Sequence, residues 1–190
     1  MSDDWWDEQF DKRGEDPFYW WLQARRLKRG ADLIWEIYEK EVQRFLNDPD
    51  GFHEEERLAG TTSVDIEMCN VYYFLLGLAV EVLAKGILVG RDPKCLSKNK
   101  KYNHNIKGYI SECGISFDEK KKELLDALST IVQWKGRYPA PKYRGDWAPS
   151  RTSYAEKTMP GTIAQRDRHE LEDIYATLNQ ILCQEHANRS

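Results

Sequence analysis

The sequence lacks the motifs that identify the commonest nucleotide-binding, hydrolytic and metal-binding proteins. It has no Walker A loop, no G-x-G-x-x-G segment and no G-x-S-x-G element, which excludes the usual phosphate-binding loops and the serine-hydrolase elbow. Its four cysteines are scattered without a C-x-x-C pair, and no H-x-x-x-H spacing occurs. Zinc sites depend on such spacings, so we expect neither a metal ion nor another cofactor.

The start of the chain is also unlike that of a secreted protein. Ser2, Asp3 and Asp4 stand where a secretory signal peptide has basic residues followed by an apolar run. Scattered cysteines without a disulfide framework are typical of reducing compartments. The sequence therefore predicts a reduced, cytoplasmic protein.

The formal net charge is only −4, but the charges are segregated along the chain. Residues 1–16 form an acidic segment. Between Pro93 and Ser111 there is no acidic residue, and five lysines fall there. A polyanion would be attracted to this basic segment rather than to the chain as a whole.

Apolar residues recur at helical spacing through most of the chain and predict an all-α fold. A length of 190 residues with 41% hydrophobic residues suits one domain with one core. We expect a single-domain bundle of four to five helices over residues 17–190, interrupted by a long, proline-rich loop at about 137–161. Its centre should be the almost wholly apolar helix Val71–Val89.

That apolar helix approaches a membrane span in length, but it contains Glu81 and Lys85. The two residues lie one helical turn apart and can form an ion pair. Charges inside a membrane span are rare. We therefore expect a buried central helix and no membrane association.

Capping residues predict several helix ends. Asp16 followed by Pro17 is typical of a helix start, and the first helix should end near Asn47, where turn formers follow. The central helix should start at Thr62 or Ser63. A short helix over about 105–113 should close at Gly114, and Ser116-x-x-Glu119 predicts a capping box for the next helix.

His104 is the first candidate functional residue, and it follows Lys100 and Lys101 closely. Histidine can act as an acid, a base or a phosphate contact near neutral pH. A histidine in this position can equally brace the short helix that follows it. The sequence leaves both roles open.

The second candidate is Arg137 beside Tyr138, where a helix runs into the long loop. A guanidinium group binds two phosphate or carboxylate oxygens at once, and an aromatic ring can stack on a base. The same segment is also typical of an ordinary helix end, in which Gly136 adopts the left-handed conformation and Pro139 prevents the helix from continuing. The two interpretations are compatible.

The third candidate is the whole segment 137–168, where basic residues alternate with aromatic ones. Proteins bind single-stranded nucleic acids with basic side chains that contact the phosphates and aromatic rings that stack on the bases. The same residue types dominate protein interfaces. The basic members are Arg137, Lys142, Arg144, Arg151, Lys157, Arg166 and Arg168, and the aromatic members are Tyr138, Tyr143, Trp147 and Tyr154.

Three segments follow one another along the chain: residues 78–88, His104-Asn105-Ile106 with Tyr109-Ile110, and residues 124–139. Together they resemble the HEPN superfamily, compact helical-bundle domains often linked to RNA cleavage or nucleotide binding. Residues 78–88 look like the family's central helix with its spaced glutamate and lysine. His104-Asn105-Ile106 with Tyr109-Ile110 looks like the short element that follows. Residues 124–139 look like the helix and exit of some members, so the resemblance covers about Val71–Pro139.

The chain departs from the family in one motif. Ribonuclease members carry an arginine followed, after four to six residues, by a histidine, and no such pair occurs here. Lys98 and His104 have this spacing, but the first residue is a lysine and not an arginine. The family mechanism needs a histidine to move the proton of the ribose hydroxyl and an arginine to stabilise the phosphorane. His104 and Arg137 would restore the pair only by meeting in space, so the resemblance implies an inactive, binding-type member.

The leading hypothesis is therefore a HEPN-like module that binds RNA or a nucleotide-like anion. The resemblance implies a defence or toxin–antitoxin setting. One alternative is a metal-independent endoribonuclease that uses His104 and Arg137. Another is a protein-interaction module, as a homodimer or with a partner protein. The binding site would be lined by Lys100, Lys101, His104, Arg137, Tyr138, Lys142 and Arg144.

Overall fold

The computed structural model describes residues 12–60, 68–96, 104–135 and 167–188, and these ranges contain helices and no strand. The all-α class is confirmed. The helices are α1 (Pro17–Asn47), α2 (Pro49–Ala59), α3 (Met68–Arg91), α4 (Ile106–Glu112), α5 (Glu119–Thr130), continued by a π-helical turn (Ile131–Lys135), and α6 (Arg168–Ala187).

Helix α3 is the centre of the bundle and packs against α1, α4, α5 and α6. Leu76, Val80, Leu83 and Ile87 are fully buried along it. A helix that is apolar around most of its circumference has to be covered by other elements, and this requirement explains the bundle. By length and composition alone α3 is long and apolar enough to cross a membrane, as the core helix of a soluble protein can also be. Of its most apolar 18 residues, 67% are buried inside the fold.

Helix α1 begins as the sequence predicts. The side chain of Asp16 accepts a hydrogen bond from the backbone N–H of Phe18 at 2.9 Å, and Pro17 takes the first helical position. The helix then runs unbroken to Asn47. The predicted start of the central helix at Thr62 or Ser63 and the predicted loop at 137–161 lie outside the described residues.

Helix α2 was not predicted, because the turn formers after Asn47 were interpreted as a loop. The side chain of Asp48 caps the new helix by accepting from the N–H of Gly51 at 3.0 Å, and Pro49 opens it. Gly60 ends it in the left-handed conformation, with φ 67°. The Asp-Pro pair is the same helix signal that was recognised at the start of α1.

The ends of the short helices were predicted in part. The side chain of Asn105 caps α4 by accepting from the N–H of Gly108 at 2.9 Å, and Gly114 follows its end with φ 67°. The prediction of a capping box at Ser116 is wrong. The side chain of Asp118 accepts from the N–H of Lys121 at 2.9 Å instead, because it stands directly before the first helical residue, where an N-cap must lie.

Glycine allows the helices to approach closely near the C-terminal end of α3. A Cβ added at Gly86 would lie 2.8 Å from the Cβ of Trp20 on α1 and 2.9 Å from Cδ2 of Leu182 on α6. These distances are shorter than carbon–carbon contact. Gly86 therefore sets the separation of three helices.

Gly86→Ala should lower the free energy of unfolding by about 1–3 kcal/mol, because the methyl group overpacks this contact. Gly30→Ala is the matched control, since its Cβ would meet only Cδ1 of Leu75 at 3.6 Å. That control should be neutral or stabilising by up to about 1 kcal/mol, since alanine favours helix. Urea unfolding followed by circular dichroism measures both. A Gly86→Ala protein as stable as Gly30→Ala would contradict this packing.

Candidate functional site

His104 lies just before α4, and its side chain contacts the central helix. Its Nδ1 atom is 2.8 Å from Oε2 of Glu81, and the side chain is 33% exposed. The two residues are 23 positions apart in the chain. The structure thus supplies a partner for His104 that sequence spacing does not reveal.

Glu81 is a carboxylate inside the core, only 4% exposed. Its other oxygen, Oε1, accepts a hydrogen bond from the ammonium group of Lys85 at 2.5 Å. The Lys85 ammonium also lies 4.8 Å from the ring centroid of Tyr109, within the range of a cation–π contact. The predicted Glu81–Lys85 pair is confirmed, and both carboxylate oxygens have a partner, as a buried charge requires.

The backbone that follows His104 is held by two polar side chains. The hydroxyl of Ser129 on α5 donates to the carbonyl of Leu125 at 2.8 Å and accepts from the N–H of Ile106 at 3.2 Å. Asn105 supplies the cap of α4. His104 therefore sits on a backbone anchored to α5 while its ring is anchored to α3.

Two lysines of the lysine-rich segment, one toward each end, are among the described residues. Lys107 pairs with Asp126 at 2.7 Å, with side chains that are 45% and 48% exposed. Lys94 lies at the other end, just after α3. Exposed pairs such as Lys107–Asp126 contribute little to stability.

Most of the predicted binding residues fall outside the described ranges. They are Lys100, Lys101, Arg137, Tyr138, Lys142 and Arg144. Of the seven residues predicted to line the binding site, the structure describes His104 alone. The meeting of His104 and Arg137 therefore stays a prediction.

Arg168 belongs to a second polar cluster, formed between α1, α3 and α6. Its guanidinium carbon lies 4.4 Å from the ring centroid of Trp35. The hydroxyl of Tyr72 donates to Oε1 of Glu172 at 2.7 Å, and Lys28 pairs with Oε2 at 2.9 Å. Burial first, and the contact with Glu172 second, raise the pKa of the Tyr72 phenol. The cluster joins three helices, so Arg168, grouped above with candidate nucleic-acid contacts, is used in packing.

The described part of the chain holds no group of three or more His, Cys, Asp or Glu side chains able to bind a metal ion. All four cysteines are free thiols. Burial raises the pKa of the Cys113 thiol to about 12. A thiol with so high a pKa is mostly protonated near neutral pH and is a poor nucleophile.

No protein-family model, curated protein or solved structure matches this chain. The resemblance to the HEPN superfamily therefore rests on the three sequence segments described above.

Lys85→Met should lower the free energy of unfolding by about 3 kcal/mol, because it leaves the buried Glu81 carboxylate with His104 as its remaining partner. The side chains of Lys85 and Glu81 are 15% and 5% exposed. Urea unfolding measures the loss. A Glu81→Gln/Lys85→Met double variant should recover part of the stability, since it removes the uncompensated charge as well.

Lys122→Met is the matched control for this change. It breaks a lysine–glutamate pair of similar length, Lys122–Glu119 at 2.6 Å, in which the glutamate is 86% exposed. Its unfolding free energy should match that of the unmodified protein within error. Equal losses of unfolding free energy in Lys85→Met and Lys122→Met would show that burial does not make the Glu81–Lys85 pair more important for stability.

Proposed function

We propose that the chain is a HEPN-like module that binds RNA or a nucleotide-like anion at the surface around His104. The observation that supports this most is the placement of His104. Its ring is anchored to the core through Glu81 and yet is 33% exposed. It lies in a stretch from Pro93 to Ser111 that has five lysines and no acidic residue.

The charges of the described residues are compatible with an anion at this surface. Glu81, the acidic side chain in contact with His104, is buried, and Lys85 offsets its charge at 2.5 Å. Lys107 is held by an exposed pair with Asp126. Phosphate oxygens can replace such a partner, and binding to several lysines gains free energy from released counterions.

Fluorescence anisotropy with a labelled single-stranded RNA tests this proposal. We expect affinity to fall steeply with added salt, with a slope of about −0.7 for each phosphate contact. Competition by a nucleoside monophosphate, compared with inorganic phosphate, separates recognition of a nucleotide from recognition of phosphate alone. Absent or salt-insensitive RNA binding would rule the proposal out.

Lys100→Ala/Lys101→Ala should weaken RNA binding and reduce the salt slope, since that slope is proportional to the number of phosphates that the protein neutralises. Arg29→Ala/Lys40→Ala is the matched control. It removes the same charge from exposed positions on α1, which packs against α2, α3 and α6 and not against α4. Equal weakening by both pairs would show that only the overall charge matters.

A second candidate, a metal-independent endoribonuclease, is favoured by the contact between Glu81 and His104. A carboxylate on one nitrogen of an imidazole orients the ring and supports the other nitrogen as a general base. His104 would take the proton of the ribose 2′-hydroxyl. Arg137 would stabilise the charge that develops on phosphorus-bound oxygen.

Incubation of the purified protein with labelled RNA in a metal chelator tests the second candidate. Cleavage should appear, and His104→Ala should reduce its rate by about 10²-fold or more, as expected for loss of a general base. His53→Ala is the control, since its side chain on α2 is 65% exposed and pairs with Glu56. Equal cleavage by His104→Ala, or none by the unmodified protein, would exclude this activity.

A further inference from the structure

We infer that the last turns of α1 and the adjoining helix α2 form a docking site for a basic, amphipathic helix of a partner protein. This site, the α1 extension, consists of residues 39–47 and of α2. Helix α2 packs against α1 and against no other described helix. Both parts of the α1 extension therefore lie at the edge of the described bundle.

Helix α1 is longer than the helices that cover it. It runs antiparallel to α3, since Trp35 contacts Tyr72 near the start of α3 while Trp20 lies beside Gly86 near its end. Helix α6 begins at Arg168, whose guanidinium carbon lies 4.4 Å from the ring centroid of Trp35. The α1 extension therefore reaches past the N-terminal ends of both α3 and α6.

The α1 extension is also separate from the surface around His104. His104 contacts α3 at Glu81, nine positions after Tyr72. Nine residues correspond to about 14 Å along a helix, and they lead away from the α1 extension. Docking of a protein there does not require that the chain bind RNA.

The side of α1 that faces the core continues into the α1 extension. Four residues at spacings of four, three and four share one side of the helix: Trp35, Glu39, Val42 and Leu46. The first is 2% exposed and the last is 60% exposed. Leu46 and Leu58 of α2, at 71%, are the two most exposed large apolar side chains in the described residues. An apolar stripe that is left uncovered is where another amphipathic helix can pack.

The α1 extension and the residues that lead into it are acidic. Residues 36–58 contain eight acidic and three basic residues, a net charge of −5, whereas the whole chain carries −4. Arg44 is already paired with Glu41 at 2.8 Å and with Glu55 at 2.7 Å. Glu39, which lies on the uncovered stripe and is exposed, has no ion-pair partner in the part of the chain that the structure describes. A cationic side chain of a partner would pair with it.

The charge of the α1 extension selects its occupant. A second copy of the chain would bring two acidic surfaces together, and a nucleic acid or an anionic membrane would be repelled in the same way. A basic helix with an apolar residue at every third or fourth position would cover Val42 and Leu46 and place a lysine or an arginine against Glu39. A basic amphipathic helix is therefore the partner that this surface fits.

Fluorescence anisotropy with labelled synthetic peptides tests the chemistry of the partner. The probe is a helical peptide with leucines at helical spacing and lysines elsewhere. One matched peptide carries glutamates in place of the lysines, and another carries serines in place of the leucines. We expect the first peptide to bind at least about tenfold more tightly than either of the others. No binding, or equal affinities for the three peptides, would overturn the inference.

Leu46→Ser should weaken binding of the basic peptide about tenfold, because it removes most of an apolar side chain that the peptide buries. Leu33→Ser is the matched control, since Leu33 is 44% exposed but lies on another side of α1. Circular dichroism establishes that both variants fold. Should Leu46→Ser fail to fold, the three peptides still decide with the unmodified protein. Equal weakening by the two variants would reject the α1 extension as the docking site.

Glu39→Lys should weaken binding of the basic peptide and strengthen binding of the acidic one, because it reverses the charge on the stripe. Glu119→Lys is its control. It changes the net charge equally from α5, which packs against neither α1 nor α2. The same affinities in both variants would show that Glu39 makes no contact with the peptide.

Sedimentation velocity at increasing protein concentration tests the alternative of a second copy. We expect the α1 extension to contribute nothing to self-association, so that Leu46→Ser and the unmodified protein sediment alike. A dimer of the unmodified protein that Leu46→Ser abolishes would overturn the inference in favour of a second copy.

Discussion

The buried carboxylate of Glu81 is the constraint on which the arrangement of the candidate site depends. A charge inside a core is strongly destabilising unless each oxygen is hydrogen-bonded. Lys85 satisfies one oxygen from the same helix and His104 satisfies the other from the chain before α4. The requirement for a second partner therefore draws the start of α4 onto the central helix and gives His104 a defined orientation.

The requirement that a buried charge be hydrogen-bonded also accounts for the difference between the Glu81 site and the second polar cluster. In the cluster of Lys28, Tyr72 and Glu172, donors and acceptors from three helices satisfy one another, which ties α1, α3 and α6 together. At Glu81, one of the partners is a histidine that is still 33% exposed. A side chain that is anchored on the inside and accessible on the outside is suited to bind or to transfer a proton. This contrast is why both proposed functions concern His104.

Helix caps are local interactions, and the sequence predicted some of them correctly. Asp16 was recognised as a helix cap because an N-cap side chain bonds to the backbone two or three residues later. The error at Ser116 and the missed helix at Pro49 have different sources. Near Ser116 the wrong one of two neighbouring capping residues was chosen, and after Asn47 a helix cap was interpreted as part of a loop. In both cases an aspartate, Asp118 or Asp48, took the cap.

By itself the sequence determined the all-α class, the central helix and the Glu81–Lys85 pair. These follow from apolar periodicity and from a spacing of four residues, which places two side chains on one face of a helix. Only the tertiary structure decided that His104 is the second partner of Glu81 and that Arg168 packs on Trp35. Contacts between residues this far apart in the chain depend on how the helices pack, and no spacing in the sequence encodes that geometry.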